Sequence, residues 1–425
     1  MEERARKLVL VLGLVLIVGI DVAKHKHVAR FWNSLGEDIA KPLPFENNRD
    51  GFRRLAALIE RLKAEYKLER VVIGMEPTGH YWKPLAWFLR AQGYMVVMVN
   101  PYHVKRTKEL DDNSQTKNDR KDAGLIAQLV KEGRYLHCLL PTGVYADLRQ
   151  LTVARRQQKQ KLNAALCQLH GVLDEFFPEF PKVFKNVIGL GARWVLANFP
   201  FPSDILSMPA DELARGLKAA TSHRVGLKRV QKLRQAAEES IGVGEGTAGV
   251  RMRLRGLLAE IDLWLAQLEE TEKAMADALR ATGWKEILTS VPGVGMVTAA
   301  GFLGEIGDPT NFSDWRQVQK LAGLNLVEQS SGEKRGQRTI SKRGRPGLRS
   351  LLYQAALAAV RDPVFGSLYR YFLGRAQNPL KKKQALIAVA LKLLRVMLWL
   401  VQSHQLYDPA KALGFYRETQ LRAAA

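Results

Sequence analysis

The sequence predicts an α/β domain followed by an all-α remainder. Three observations carry that prediction. Short apolar runs ending in acids alternate with helical stretches up to Val130. A middle region from about Tyr145 to Arg280 nearly loses its strand patterns and repeats leucines at four-three spacing. A final region sets apolar helical segments against a glycine turn and a dense run of cations.

The elements follow in chain order. The run Leu8 to Ile20, LVLVLGLVLIVGI, reads as a buried first strand with an upstream extension, leading into Asp21. It follows a basic start in the manner of a signal peptide. It lacks a small-residue cleavage site, however, and is short of the roughly 20 residues that a bilayer-spanning helix needs. A second strand is expected at Val28 to Trp32, then a helix from about Asn48 to Tyr66. RVVIGME and YMVVMVN read as further strands, separated by the helical HYWKPLAWFLRAQG. Strands that end in acids suit an open α/β sheet, whose sites lie beyond the carboxyl ends of its strands.

In the middle region Leu254, Leu258, Ile261, Leu265, Leu268, Met275 and Leu279 form a coiled-coil seam interrupted at Glu272; a weaker seam runs through Leu162, Leu166, Leu169 and Leu173. Such seams pair within a chain or between subunits, and they also suit ordinary bundle core. The expectation drawn from them is a homo-oligomer, dimer or larger. The final region opens with Pro292-Gly293-Val294-Gly295 between two apolar segments. That is the form of a helix-hairpin-helix, whose glycine turn brings backbone N–H groups to a phosphate, and equally of a tight turn with no ligand. Downstream stand Ser330 and Ser331, then Lys334, Arg335, Arg338, Lys342, Arg343, Arg345 and Arg349, cations expected to meet phosphates.

Composition narrows the class of function. A chain of 425 residues, 47% hydrophobic, can build two or three domains with real cores. Its 65 Lys and Arg against 42 Asp and Glu leave a formal charge of +23, which calls for a polyanionic partner. Nucleic acid ranks ahead of ribosomal or membrane-surface roles. Cys138 and Cys167 show no metal-ligand spacing and are too few for a disulfide framework, which argues against zinc and for a reducing, cytoplasmic setting.

The acids carry the chemistry. Asp21 ends one strand in VGIDVAK and Glu76 ends another in VVIGMEPTG, so adjacent strands would bring both to one sheet edge. In TKNDRKDAGLIAQLV, Asp119 and Asp122 stand at the start of a helix from Arg120 to Val130, as N-cap and third residue of a capping-box-like pair. Four carboxylates within about 4 Å of one another would repel by about 4 kcal/mol per pair at an effective dielectric near 20. A hard cation, Mg²⁺ or Mn²⁺, answers that repulsion, and two such ions clamp the attacking and leaving oxygens of a phosphodiester. Asp111 and Asp112 are expected in a solvated polar loop. His25, His27, His80 and His103 have no i, i+4 spacing and are expected as loop or core histidines.

Together, GIDVAK, GMEPTGHYW and KNDRKDAGLIAQL in the first half, with VPGVGMVTA, LAGLNLVEQSSG and ISKRG…LRSLL in the second, resemble the DEDD-type insertion-sequence transposases, also described as bridge-RNA-guided recombinases. The resemblance implies a ribonuclease-H-like (Holliday-junction-resolvase-like) domain at 14–142 after an extension at 1–13. A helical, coiled-coil region at 143–282, a mostly helical transposase domain at 283–375 and a C-terminal helix and tail at 376–425 then follow. It implies that Asp21, Glu76, Asp119 and Asp122 are the catalytic, metal-holding acids and Ser331 the nucleophile. It also implies donor and target DNA, a guide RNA and no membrane as partners. Two other readings stand beside it. One is a hydrolytic resolvase or exonuclease, although the exonuclease pattern D-x-E has Ala23 at its third position. The other is an architectural binder whose acids are structural.

Overall fold

The computed structural model describes residues 2–77, 79–111, 119–328, 338–414 and 419–420, which fall into two compact units, Met1–Leu140 and Pro141–Ala425. Unit one is mixed α/β. Its elements run α1 (Glu2–Val9), β1 (Val15–Asp21), β2 (Lys26–Trp32), β3 (Asp38–Glu46), α2 (Arg49–Glu65), β4 (Arg70–Met75), α3 (Trp82–Ala91), β5 (Met95–Val99), α4 (Pro101–Asp111), α5 (Asp119–Lys131) and β6 (Tyr135–His137).

The sheet order is β3-β2-β1-β4-β5-β6. β1, β4 and β5 are parallel, while β2, β3 and β6 are antiparallel to their neighbours. One face packs Leu16, Val18, Ile20, Ile73 and Met75 on Phe52, Leu55 and Ile59 of α2 and Leu85 and Leu89 of α3. The other packs Val15, Ile17, Val72 and Val97 on Ile126, Leu129 and Val130 of α5. This arrangement is compatible with a ribonuclease-H-like domain.

The long apolar run at the start is a buried strand with an upstream extension, as its sequence predicts. Gly13 takes φ +81° and breaks it, so α1 ends at Val9, Val9 and Leu12 stay exposed, and β1 begins only at Val15. β3 carries Pro42 and Pro44 and is tolerated because it is the sheet's edge. Asp111, expected in a loop, is the last residue of α4, and Asp112 lies outside the described residues.

Unit two is almost wholly helical. It contains α6 (Val144–Phe176), α7 (Phe180–Val183), α8 (Leu190–Asn198), α9 (Pro202–Ser207), α10 (Ala210–Ala220), α11 (Leu227–Glu238), α12 (Thr247–Ala281), α13 (Lys285–Thr289), α14 (Met296–Ile306) and α15 (Trp315–Ala322). After these come β7 (Leu326–Glu328), β8 (Arg338–Ile340), α16 (Pro346–Ala359), α17 (Pro363–Gly374), α18 (Lys382–Ser403) and α19 (Pro409–Ala412).

The leucine seam is satisfied inside the chain, which removes it as a reason for oligomerisation. α12 lies along α6, with Leu254, Leu258, Ile261, Leu268, Met275 and Leu279 buried. The break in the seam has a cause: Glu272 receives a 2.7 Å hydrogen bond from Arg155 of α6, and Thr271 one of 3.0 Å from Gln158. One end of the pair enters a core with α7 to α11, and the other enters a core built around α14, α16 and α18. α18 is long and apolar enough by composition to cross a bilayer, yet Leu393, Leu394, Met397 and Leu400 are buried in that second core.

Candidate active site

The strands β1 and β4 share a pattern, V-G-I-D and I-G-M-E, in which a glycine precedes the acid by two residues. Gly19 pairs in register with Gly74 and Ile20 with Met75 on strands about 5 Å apart; Asp21 is the last residue of β1 and Glu76 the first beyond β4. Alternation places Asp21 on the same face as Gly19. That is the face covered by α5, and the glycines are there because the helix comes too close for a side chain. A Cβ on Gly19 would overlap the Ala123 carbonyl and the Ala127 amide, and one on Gly74 would overlap Val130.

The direction of α5 follows from its far end. Arg4 Nε donates to the Glu132 carbonyl, Gly133 rests against Leu8, and the Tyr135 hydroxyl donates 3.1 Å to the Lys7 carbonyl, all beside the helix that precedes β1. The helix therefore runs antiparallel to β1, and its first turn lies at the strand's carboxyl end. Asp122, half-buried, adjoins the Ala123 that touches Gly19. Asp119 opens the helix one turn earlier, but its side chain lies outside the described residues. The positive end of α5 favours carboxylates here by about 0.3–1 kcal/mol each.

Arg30 of β2 is a nearby cation that sequence reasoning missed. It pairs in register with Gly19, and its guanidinium fills the space a Cβ on Gly124 of α5 would take. Arg30 is held by Asp38, which also accepts 3.0 Å from Trp32 Nε1. Among the described residues no three His, Cys, Asp or Glu side chains gather closely enough to hold a metal ion.

His27 lies on the opposite face. Fully buried, it packs edge-on to Phe45 and stacks on Phe52, and its Nδ1 accepts 3.2 Å from the Ala23 N–H. Burial holds its pKa below 6.5, with the Asn47 side chain opposing weakly. It is a core histidine.

The serine and cation run belongs to unit two. Ser330, Ser331, Lys334 and Arg335 lie outside the described residues, in the stretch between β7 and β8. The base of that hairpin is tightly built. Ser341 N donates 2.8 Å to the Asn325 carbonyl, Lys342 N 3.0 Å to that of Gly323, and Arg345 N 2.7 Å to that of Leu321. Gly323, at φ +67°, and Gly344 let the two backbones touch.

The described cations divide. Lys342 and Arg343 are exposed. Arg338 pairs with Glu328 across the hairpin at 2.9 Å, and Arg349 donates 2.8 Å to the Ala322 carbonyl. Arg345 donates to the Glu305 carbonyl, and the buried Glu305 carboxylate also pairs with Arg149 of α6. Burial and the neighbouring Arg149 lower the Arg345 pKa, Glu305 opposing. The glycine turn at Gly293, φ +82°, packs against α16, where a Cβ would meet Ala355 O and Ala359 N. Its close approach serves another helix.

Comparison with known proteins sets this geometry in context. Residues 18–178 match the transposase family described as DEDD of the IS110 type, and residues 285–370 match the transposase IS116/IS110/IS902 family. A mini-circle putative transposase for IS117 from Streptomyces coelicolor is 26% identical over 340 residues, covering 76% of this chain and 79% of the relative. An uncharacterized 44.8 kDa protein of insertion element IS116 from Streptomyces clavuligerus is 24% identical, covering 92% and 96%. A pilin gene-inverting protein from Moraxella bovis is 25% identical, covering 92% and 97%.

Proposed function

The chain belongs to the IS110 family of insertion-sequence transposases, and from that premise we propose that unit one is a ribonuclease-H-like catalytic domain whose Asp21, Glu76, Asp119 and Asp122 hold Mg²⁺ or Mn²⁺. The protein is a DNA transposase, and its family implies a divalent metal. The observation that carries the site is that Asp21 ends β1 and Glu76 follows the adjacent parallel β4, at the end of the sheet toward which α5 begins. The residue types fit a hard cation, since they offer carboxylate oxygens alone, although the described acids do not gather closely enough in this structure to hold one and the Asp119 side chain lies outside the described residues. When bound, the ion would supply Lewis-acid stabilisation of charge on a phosphodiester. Asp21 ends β1 and Glu76 follows β4, and the contacts of Gly19 and Gly74 with α5 support the reading that this helix brings Asp122 to the same end of the sheet.

Ser331 is the nucleophile in this reading. Its Oγ bonds to phosphorus as the bond to one deoxyribose oxygen breaks, the serine proton ending on the departing hydroxyl. Attack by a hydroxyl of another strand reverses the exchange and rejoins DNA without an external energy source. Supporting this are the position of Ser331 within the matched region 285–370 and the cations that follow it: Lys334, Arg335, Arg338, Lys342, Arg343 and Arg349. The Moraxella bovis relative is named for inverting a gene, a rearrangement that requires rejoining and so favours recombination over hydrolysis. A guide RNA completes the reading, supported by the charge of +23 and the resemblance.

The test uses a nicked DNA substrate that traps covalent intermediates. Wild type in Mg²⁺ is expected to give a protein–DNA adduct on Ser331. Asp21→Asn, Glu76→Gln and Asp122→Asn should lose strand cleavage by a factor of about 100 or more while remaining folded, and Ser331→Ala should lose the adduct with DNA binding intact. Cleavage without any adduct would mean hydrolysis, and full activity in the acid variants would make those acids structural.

A further inference from the structure

Unit two carries a cleft that no step above uses. It opens between the carboxyl half of α18 and the segment through α19, has a volume of about 210 Å³, and is lined by Lys392, Arg395, Trp399, Tyr407, Asp408 and Lys411 over a floor of apolar side chains. That volume is below the roughly 300–1,000 Å³ of sites for drug-sized molecules. Trp399 is 45% exposed on the wall of the cleft, although α18 is otherwise a core helix. Arg395 stands one turn before Trp399. It is exposed, and it lies over the Trp315 ring at 6.0 Å, while Arg316 covers the same indole at 5.3 Å. The result is a row in which cations and indoles alternate: Arg316, Trp315, Arg395, Trp399.

The charges say what the row can hold. Lys392 Nζ donates 3.0 Å to the Leu413 carbonyl and closes one side of the cleft. Asp408 pairs with Lys411 at 3.8 Å and Asp314 with Arg316 at 3.0 Å. Two carboxylates against Arg316, Lys392, Arg395 and Lys411 leave the row positive. An exposed indole among cations in net excess suits a ligand with a flat apolar face and a negative charge a few ångströms from it. A duplex keeps its bases stacked inside and offers such a surface only as phosphate, whereas a single strand offers both.

The geometry points to this row as a binding site for single-stranded nucleic acid, one base stacking on Trp399 while the flanking phosphates meet Arg395 and Lys411. The site rests on the reading that the substrate is nucleic acid, and it adds a contact outside the acids and outside the serine hairpin.

The full-length protein, irradiated with a single-stranded oligodeoxynucleotide carrying 5-iodouracil, tests it when the adducts are mapped by mass spectrometry. An adduct on Trp399 is expected. Trp399→Ala should lower affinity for that strand about tenfold or more, Trp399→Phe much less, and neither should change affinity for the duplex of the same sequence. Arg395→Gln and Lys411→Gln should each reduce the slope of log affinity against log salt by about 0.7. Melting curves check that the variants fold, and the wild-type adduct is informative even if one does not. Adducts confined to other peptides, or single-strand affinity unchanged in Trp399→Ala, overturn the cleft and leave the transposase reading standing. No binding of either the single strand or the duplex would also overturn the reading that the substrate is nucleic acid.

Discussion

His27 and Gly19 mark how single residues divide the sheet of unit one into two chemistries. His27 looks toward Phe45 and Phe52, away from the acids, and burial disfavours its charged form. The unfolded chain takes up a proton at that imidazole near pH 6.5 while the folded one resists. Unfolded chains therefore bind more protons below that pH, and stability falls as pH drops. His27→Asn, which keeps an acceptor for the Ala23 N–H, should flatten that part of the stability–pH curve, and a histidine C–H titration by NMR should place the wild-type pKa below 6.5. A value above 6.5 would contradict the packing. Gly19 does the opposite work on the other face, admitting the backbone of α5. The spacing of glycine and acid in VGID and IGME is a signal that the reading of the sequence passed over, since a glycine inside an apolar strand marks a close backbone approach. Arg30 was not legible. Nothing in the sequence says which of 65 cations a helix will come to rest on.

At the scale of elements, apolar runs identified β1, β2, β4 and β5, and the acid at each strand end identified the working edge of the sheet. β3 was hidden by its two prolines, which only an edge strand tolerates, and β6 by its length of 3 residues. The seam on α12 was legible as a seam but not as to its partner. Periodicity gives the face that must be covered, not whether another chain or α6 covers it, and Glu272 reads as a flaw until Arg155 stands opposite. The pairing can be tested directly. Ile261 is fully buried between the helices, so Ile261→Ala should cost about 2–5 kcal/mol. The melting temperature of wild type and variant alike should not depend on protein concentration; a rise with concentration would return the seam to an intersubunit role.

Across the whole molecule the charge of +23 outweighs every local feature. It is a statement about partners rather than about fold, and it holds whatever the arrangement of the units. The protein purified at low salt should carry an RNA of discrete length, and its affinity for that RNA should fall steeply with salt, about 0.7 to 0.9 in log–log slope per phosphate neutralised. RNA of all lengths, exchanged freely for any polyanion, would reduce the guide to non-specific attraction. Charge was readable from composition alone. The division near residue 140 was foreshadowed by the change from strand patterns to long helices, since a chain that stops alternating strands and helices has stopped building a sheet.

The long pair in unit two also sets a length. α6 has 33 residues and α12 has 35, so at about 1.5 Å per residue each is a rod of about 50 Å. Laid beside B-form DNA at about 3.4 Å per base pair, that is about 15 base pairs, nearly one and a half turns. Because the Arg155–Glu272 and Gln158–Thr271 pairs hold the two helices in register, the rod cannot shorten by sliding, and its two cores are kept apart by a fixed interval. Any nucleic-acid contacts made at its two ends would be measured off by a ruler rather than by a hinge.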